Sequence, residues 1–132
     1  TDSVQPLAHV AHSDPDPDIR KEAIKALGKT RRIEALGPLI EAYYRESSDC
    51  LKVDIVEALS HIATAGSTEF LMKALDDSSS EIRSCAALAL GELRLPLAEQ
   101  ALKRALNDPI EKVRISAAKA LGMITFLPSG LS

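Results

Sequence analysis

Residues Asp14 to Gly28 read Asp-Pro-Asp-Pro-Asp-Ile-Arg-Lys-Glu-Ala-Ile-Lys-Ala-Leu-Gly, and Asp108 to Gly122 return the same design as Asp-Pro-Ile-Glu-Lys-Val-Arg-Ile-Ser-Ala-Ala-Lys-Ala-Leu-Gly. Aligning on the basic residue finds two further copies. The anchors Arg20, Lys52, Arg83 and Arg114 lie 32, 31 and 31 residues apart. One place before the anchor stand Ile19, Leu51, Ile82 and Val113; three places after it stand Ala23, Ile55, Ala86 and Ala117. Ala26, Ala58, Ala89 and Ala120 follow, then Leu27, Leu59, Leu90 and Leu121, then Gly28, Ser60, Gly91 and Gly122. A fixed period with agreement in this many columns marks a repeat array.

Within each copy the apolar positions fall at i, i+4, i+7 and i+8, one stripe of an amphipathic helix. The alanine column predicts close approach by a neighbouring helix. The Gly column fits either a close contact or a helix end, and the spacing leaves both open. Six places before each anchor lie Asp14, Glu46, Asp77 and Asp108, followed by Pro15, Ser47, Ser78 and Pro109. An acidic residue followed by proline marks a helix start, because the carboxylate accepts from backbone N–H groups and proline gives up none that the helix needs. Glu46 departs from the pattern, and Ser47 or Ser48 is the alternative cap.

A second apolar series runs between these helices through Leu7, Leu39, Phe70 and Ala101, then Ala8, Ile40, Leu71 and Leu102, then Ala11, Tyr43, Ala74 and Ala105, then His12, Tyr44, Leu75 and Leu106. The expected spans are about 3–12, 16–28, 33–46, 49–64, 67–76, 79–93, 96–107 and 109–124, followed by a short tail at 126–132. The prediction is an all-α, right-handed α-solenoid of about four helix pairs over residues 1–132, read as a single repeat domain. Each pair is too thin to bury its apolar face alone. The pattern runs to both edges without polar capping helices, which raises two expectations: a fragment of a longer array, or end-to-end self-association.

Composition agrees. Hydrophobic residues are 45% and charged residues 27%, a globular profile, while aromatic residues are only 3%, which suits helices packed through Ala, Leu, Ile and Val. The net charge of −3 and pI near 5.6 give no global attraction to nucleic acid or an anionic membrane. No apolar run reaches the ~20 residues that span a bilayer, and no signal-peptide pattern opens the sequence, so a cytoplasmic location is expected. Cys50 and Cys85 sit beside apolar positions and are expected to be buried free thiols. His61, beside Ile62, is expected to be a partly buried structural residue.

The two opening stretches resemble the HEAT repeat, and are most similar to the short HEAT-like repeats of phycobilisome bilin lyases and of many bacterial and archaeal proteins. The resemblance covers nearly the whole chain and implies a fold more than a function. It implies an Asp–Arg ladder between successive repeats, which here uses Asp14, Asp77 and Asp108 with Arg20, Arg83 and Arg114. Glu46 and Lys52 stand in the second repeat, where lysine lacks the bidentate fork and a weaker rung follows. HEAT-type deoxyhypusine hydroxylases bind iron through adjacent His-Glu pairs, and this sequence has none.

Other strings imitate chemistry without completing it. Gly28-Lys29-Thr30 ends like a phosphate-binding loop, but the glycine required five places earlier is Ala23. Asp14, Asp16 and Asp18 open like a calcium loop, whose sixth and twelfth positions are here Ile19 and Lys25 rather than Gly and Glu. His9 and His12 share a helix face but lack a third ligand. No catalytic, cofactor or metal site is expected, and the chain is not expected to be an enzyme.

The expected activity is that of a protein-binding scaffold with an unidentified protein as partner. Its concave face is formed by the second helix series, and its recognition residues are His9, Glu41, Tyr44, Arg45, Met72, Lys73, Lys103 and Arg104. Tyr44 is the anchor, since a tyrosine ring adds area and its hydroxyl still bonds. The alternatives are a bilin lyase-like chromophore-handling subunit and a weak nucleic-acid binder using Lys73, Lys103 and Arg104; nucleic acid is the less favoured partner.

Overall fold

The structure is a computed structural model that describes residues 4–62 and 64–125; the expected tail at 126–132 lies outside the described residues. Among these, eight α-helices are present: α1 (Val4–Ser13), α2 (Pro17–Thr30), α3 (Leu36–Arg45), α4 (Asp49–His61), α5 (Ala65–Ala74), α6 (Ser80–Leu93), α7 (Glu99–Ala105) and α8 (Glu111–Thr125). Short 3₁₀ turns, Ile33–Ala35 and Pro96–Ala98, lead into α3 and α7. These two turns occupy the beginnings of the expected helices 33–46 and 96–107. The chain divides into two compact units, Thr1–Phe70 and Leu71–Ser132, the division falling within α5.

Local chemistry at the helix starts is nearly the same in each repeat. The acidic residue stands before the cap rather than in it. Asp14 accepts from the Asp16 N–H, Glu46 from Ser48, Asp77 from Ser79 and Asp108 from Ile110, each two residues ahead. In the three aspartates this is the Asx turn that a short acidic side chain favours, and Glu46 makes the same contact with a longer one. The cap proper comes next. Asp16 caps α2 in extended geometry, accepting from Asp18 N–H, and Pro17 follows where its missing N–H costs nothing. Ser48 caps α4 through Leu51 N–H, which settles the choice between the two serines.

Gly28 and Gly91 lie inside helices, not at their ends. A Cβ on Gly28 would stand 2.7 Å from the Ala58 Cβ, and one on Gly91 would stand 2.6 Å from the Ala120 Cα. Close contact between helices is therefore what glycine permits at these two positions. The ends come three residues later. Arg31 and Arg94 both adopt φ 54°, and their N–H groups bond the carbonyls of Gly28 and Gly91. A non-glycine residue here carries a steric cost, of about 1 kcal/mol, set against a satisfied helix terminus.

In the first unit the core is Ile24, Leu27, Leu39, Ile55 and Leu59; in the second it is Leu71, Ile82, Leu90, Leu102 and Val113, all fully buried. Each contributes roughly 1.5–3 kcal/mol of burial. Two expectations are corrected. Cys50 is exposed and Cys85 only half-buried, both as free thiols. His61 is exposed, not partly buried. In each case the apolar neighbour is buried, but successive helical side chains point about 100° apart, so adjacency in sequence does not confer burial.

Candidate functional site

The charged columns set the spacing of the helices. In the first unit Arg20 donates from Nε and Nη2 to the Glu46 carboxylate at 3.2 and 3.3 Å, and from Nη1 to the Asp14 carbonyl at 2.9 Å. In the second, Arg83 donates to Asp108 at 2.8 and 3.2 Å and to the Asp77 carbonyl at 2.8 Å. One arginine thus clasps the loop before its own helix and the acid of the following repeat. Both acids are largely buried, which makes these contacts charge-assisted in a partly dry setting. The Asp108 carboxyl is held below its ordinary value, chiefly by the hydrogen bond from Arg83, with the Ile110 N–H adding to it against the cost of burial. The terminal Arg114 donates to the Asp108 carbonyl at 2.7 Å and is otherwise exposed. Lys52 places its ammonium 5.1 Å from the centre of the Tyr43 ring, within the range of a cation–π contact.

On this frame the first unit carries His9, Glu41, Tyr44 and Arg45, all exposed on α1 and α3. Glu41 lies 4.0 Å from Arg45 and 3.5 Å from the ring of His12. The Nε2 of His12 stands 3.0 Å from the Pro38 carbonyl; a carbonyl only accepts, so this nitrogen is the donor. Tyr44 is 68% exposed, yet its ring meets Tyr43 and Phe70 edge-on, with centroids 5.4 and 6.1 Å away. Tyr43 and Phe70 meet likewise at 4.9 Å. Such edge-to-face pairs hold a ring in place. A shallow cleft of about 110 Å³ opens beside this patch, lined by His12, Arg20, Arg45 and Glu46 among others. His9 stands outside these contacts.

In the second unit Met72 and Arg104 line a comparable cleft of about 110 Å³ with Asp76 and Asp108. Lys103 pairs with Glu99 at 3.6 Å, and Lys73 is exposed. Sequence reasoning missed His12, which ties α1 to α3. Its signal was available: His12 occupies a column otherwise filled by Tyr44, Leu75 and Leu106. Among the described residues, no cluster of three or more His, Cys, Asp or Glu could hold a metal, and no helix is long and apolar enough to cross a membrane.

Helix pairs repeated at a fixed period, joined by arginine clasps and glycine–alanine contacts, define an all-α solenoid repeat. A model of HEAT repeats matches residues 1–60 and 45–122, and the chain belongs to the HEAT repeat family. Human deoxyhypusine hydroxylase is similar in structure, with a TM-score of 0.81 at 25% identity, over 93% of this chain and 43% of that one. The complex of CpcE and CpcF of phycocyanin lyase from Nostoc sp. superposes at 0.62 and 18% identity, over 98% of this chain and 67% of that one. A designed armadillo repeat protein in complex with the peptide (KR)4 superposes at 0.61 and 23% identity, over 92% and 64%. This chain therefore spans less than half of the hydroxylase and about two thirds of the other two. The search of curated proteins found no match.

Proposed function

We propose that this chain is a non-catalytic protein-binding module whose recognition surface is the concave face carried by α1, α3, α5 and α7. The observation that carries the reading is Tyr44. A large ring is left exposed while its edges are fixed by Tyr43 and Phe70. It is flanked by Glu41 and Arg45, which offer both signs of charge. A rigid exposed aromatic loses little conformational entropy on contact, which is what an interface anchor requires. Met72, Lys73, Lys103 and Arg104 on the second unit offer an adaptable apolar side chain and basic groups of their own. The peptide-bound armadillo protein and the CpcE–CpcF complex are proteins of this fold class that hold a peptide or a partner chain.

The test is recovery of partners from native lysate by the purified chain, with eluates read by mass spectrometry and absorbance. The Tyr44→Ala variant should lose the recurrent protein partner by at least about tenfold, as truncation of an anchor does. Outer-face replacements such as Lys25→Ala should leave it intact. The reverse result, or a bound pigment as the recovered species, would overturn the proposal.

A further inference from the structure

The turns that end α2 and α6 share one backbone form. Arg31 and Arg94 both stand at φ 54°, their N–H groups close the two helices on Gly28 and Gly91, and a 3₁₀ turn begins two residues later. The side chains do not match. Where α2 and its turn carry Lys29, Arg31, Arg32 and Ile33, the corresponding places after α6 carry Glu92, Arg94, Leu95 and Pro96. One backbone holds either set, so the shape of the turn does not account for the positive charge of the first. A cation in the last turn of a helix answers its negative end, yet α6 has no basic residue there.

Lys29, Arg31 and Arg32 are all exposed. Arg94 uses its side chain to reach the Met123 carbonyl at 3.2 Å. The Arg31 guanidinium makes no hydrogen bond or ion pair among the described residues, and neither does the Lys29 ammonium. The left-handed conformation of Arg31 is therefore offset by nothing its side chain does within the chain. Arg32 lies 3.4 Å from Glu34, an exposed pair that exchanges partners at little cost. Beside them Ile33 is 62% exposed. Lys25, one turn earlier on the face of Lys29, adds charge. This group stands in a chain whose net charge is −3.

We propose that the turn after α2 is a docking site for an acidic segment of a partner protein. Arg31, Arg32 and Lys29 take its carboxylates, and an aliphatic side chain of the segment rests on Ile33. Charge complementarity sets the sign of the occupant. Guanidinium forks match carboxylates two bonds at a time, and arginine beside an exposed aliphatic residue is the composition of a protein interface. Nucleic acid fits less well, since no aromatic ring stands within residues 25–34 to stack on a base. The Glu34 side chain, 58% exposed next to Ile33, opposes a surface as uniformly anionic as a phosphate backbone or an anionic membrane. A protein segment can place a donor opposite it. The site uses none of the residues assigned to the Tyr44 surface and does not rest on that reading.

Fluorescence anisotropy on the intact chain tests it, with a dye-labelled peptide of sequence Glu-Glu-Leu-Glu-Glu as the probe. The unmodified chain should bind this peptide with an affinity that falls as salt is raised. It should bind the counterpart with lysine for glutamate at least about tenfold more weakly. Arg31→Gly is the discriminating variant. It relieves the left-handed backbone and should raise the melting temperature, while weakening the peptide about threefold to fivefold, the scale of one exposed ion pair. Lost binding is then not lost folding. The double variant Arg31→Glu with Arg32→Glu should weaken binding by at least about tenfold. Ile33→Ser should weaken it with the salt dependence kept. Tyr44→Ala should leave it unchanged, so this site and the concave face stand or fall separately. Absence of peptide binding, equal binding of the lysine peptide, or indifference to the Arg31 variants would overturn the proposal. So would a duplex oligonucleotide or phosphatidylserine vesicles bound more tightly than the peptide.

Discussion

The first and second units use one set of parts to different ends. Each has a glycine against an alanine, an arginine clasp to the next acid, and an arginine closing a helix at φ 54°. In the second unit α6 and α8 bury many small residues, Ala86, Ala87, Ala89, Ala117 and Ala120 with the Ser84–Ser116 pair, beside the larger Ile82, Leu90 and Val113. The first unit instead gathers Tyr43, Tyr44 and Phe70 on its α3–α5 side. Helix spacing is thus maintained by backbone approach and the clasp, which leaves the other series free to vary its side chains.

The sharpest way to break this comparison is at the glycines. Gly91→Ala should cost on the order of 2 kcal/mol in denaturant unfolding, because the added methyl meets the Ala120 backbone at 2.6 Å and a packed helix must shift. Gly37→Ala, with nothing within 4 Å, should instead stabilise by up to about 1 kcal/mol through helix propensity. Equal effects at the two sites would remove the close-approach argument.

The clasps come next. Arg83→Ala strands a largely buried Asp108 and should cost about 2 kcal/mol, and Arg20→Ala somewhat less, since its contacts to Glu46 are longer. The Arg83–Asp108 pair also predicts a pH dependence. Folding depresses the Asp108 carboxyl, so the unfolded chain binds more protons in the window below the ordinary aspartate range near ~4. The associated stability is present above that range and is lost as pH falls through the depressed value. Acid titration of the unfolding midpoint should therefore be shallower in Arg83→Ala than in the unmodified chain; parallel curves would contradict it.

Smaller effects distinguish the units further. Ser116→Ala leaves the Ser84 hydroxyl buried without its partner and should cost about 1–2 kcal/mol, while the double replacement with Ser84→Ala should recover most of that loss. Arg31→Gly should stabilise by up to about 1 kcal/mol through relief of the left-handed conformation. Arg94→Gly should gain less, because the Arg94 side chain also donates to the Met123 carbonyl at 3.2 Å. Thermal melts of the two variants give the comparison directly.

The repeat was legible because its columns recur at nearly constant spacing, and helical phase followed from the same columns. Glycine's purpose was not legible: Gly28 and Gly122 are identical in sequence, and only the presence of Ala58 beside one and open space beside the other tells them apart. Ile19 and Val113 share a column in the same way, yet one is exposed and the other buried, because burial depends on the neighbouring helix and not on the residue. Of the candidate surface, the exposure of Glu41, Tyr44 and Arg45 was readable from phase. The aromatic support under Tyr44 and the His12 link between α1 and α3 were not, since both depend on side chains brought together by packing.

The chain has no tryptophan and only two tyrosines, and both belong to the aromatic group of the first unit. Tyrosine emission is consequently an optical reporter confined to Thr1–Phe70, whereas far-ultraviolet dichroism sums helices from both units. Recorded in one melt, the two signals trace superimposable curves when the array unfolds as a single cooperative block. They separate when the units come apart in turn, the behaviour open to a linear array of repeats. The molecule thus carries its own label for measuring how far cooperativity extends along it.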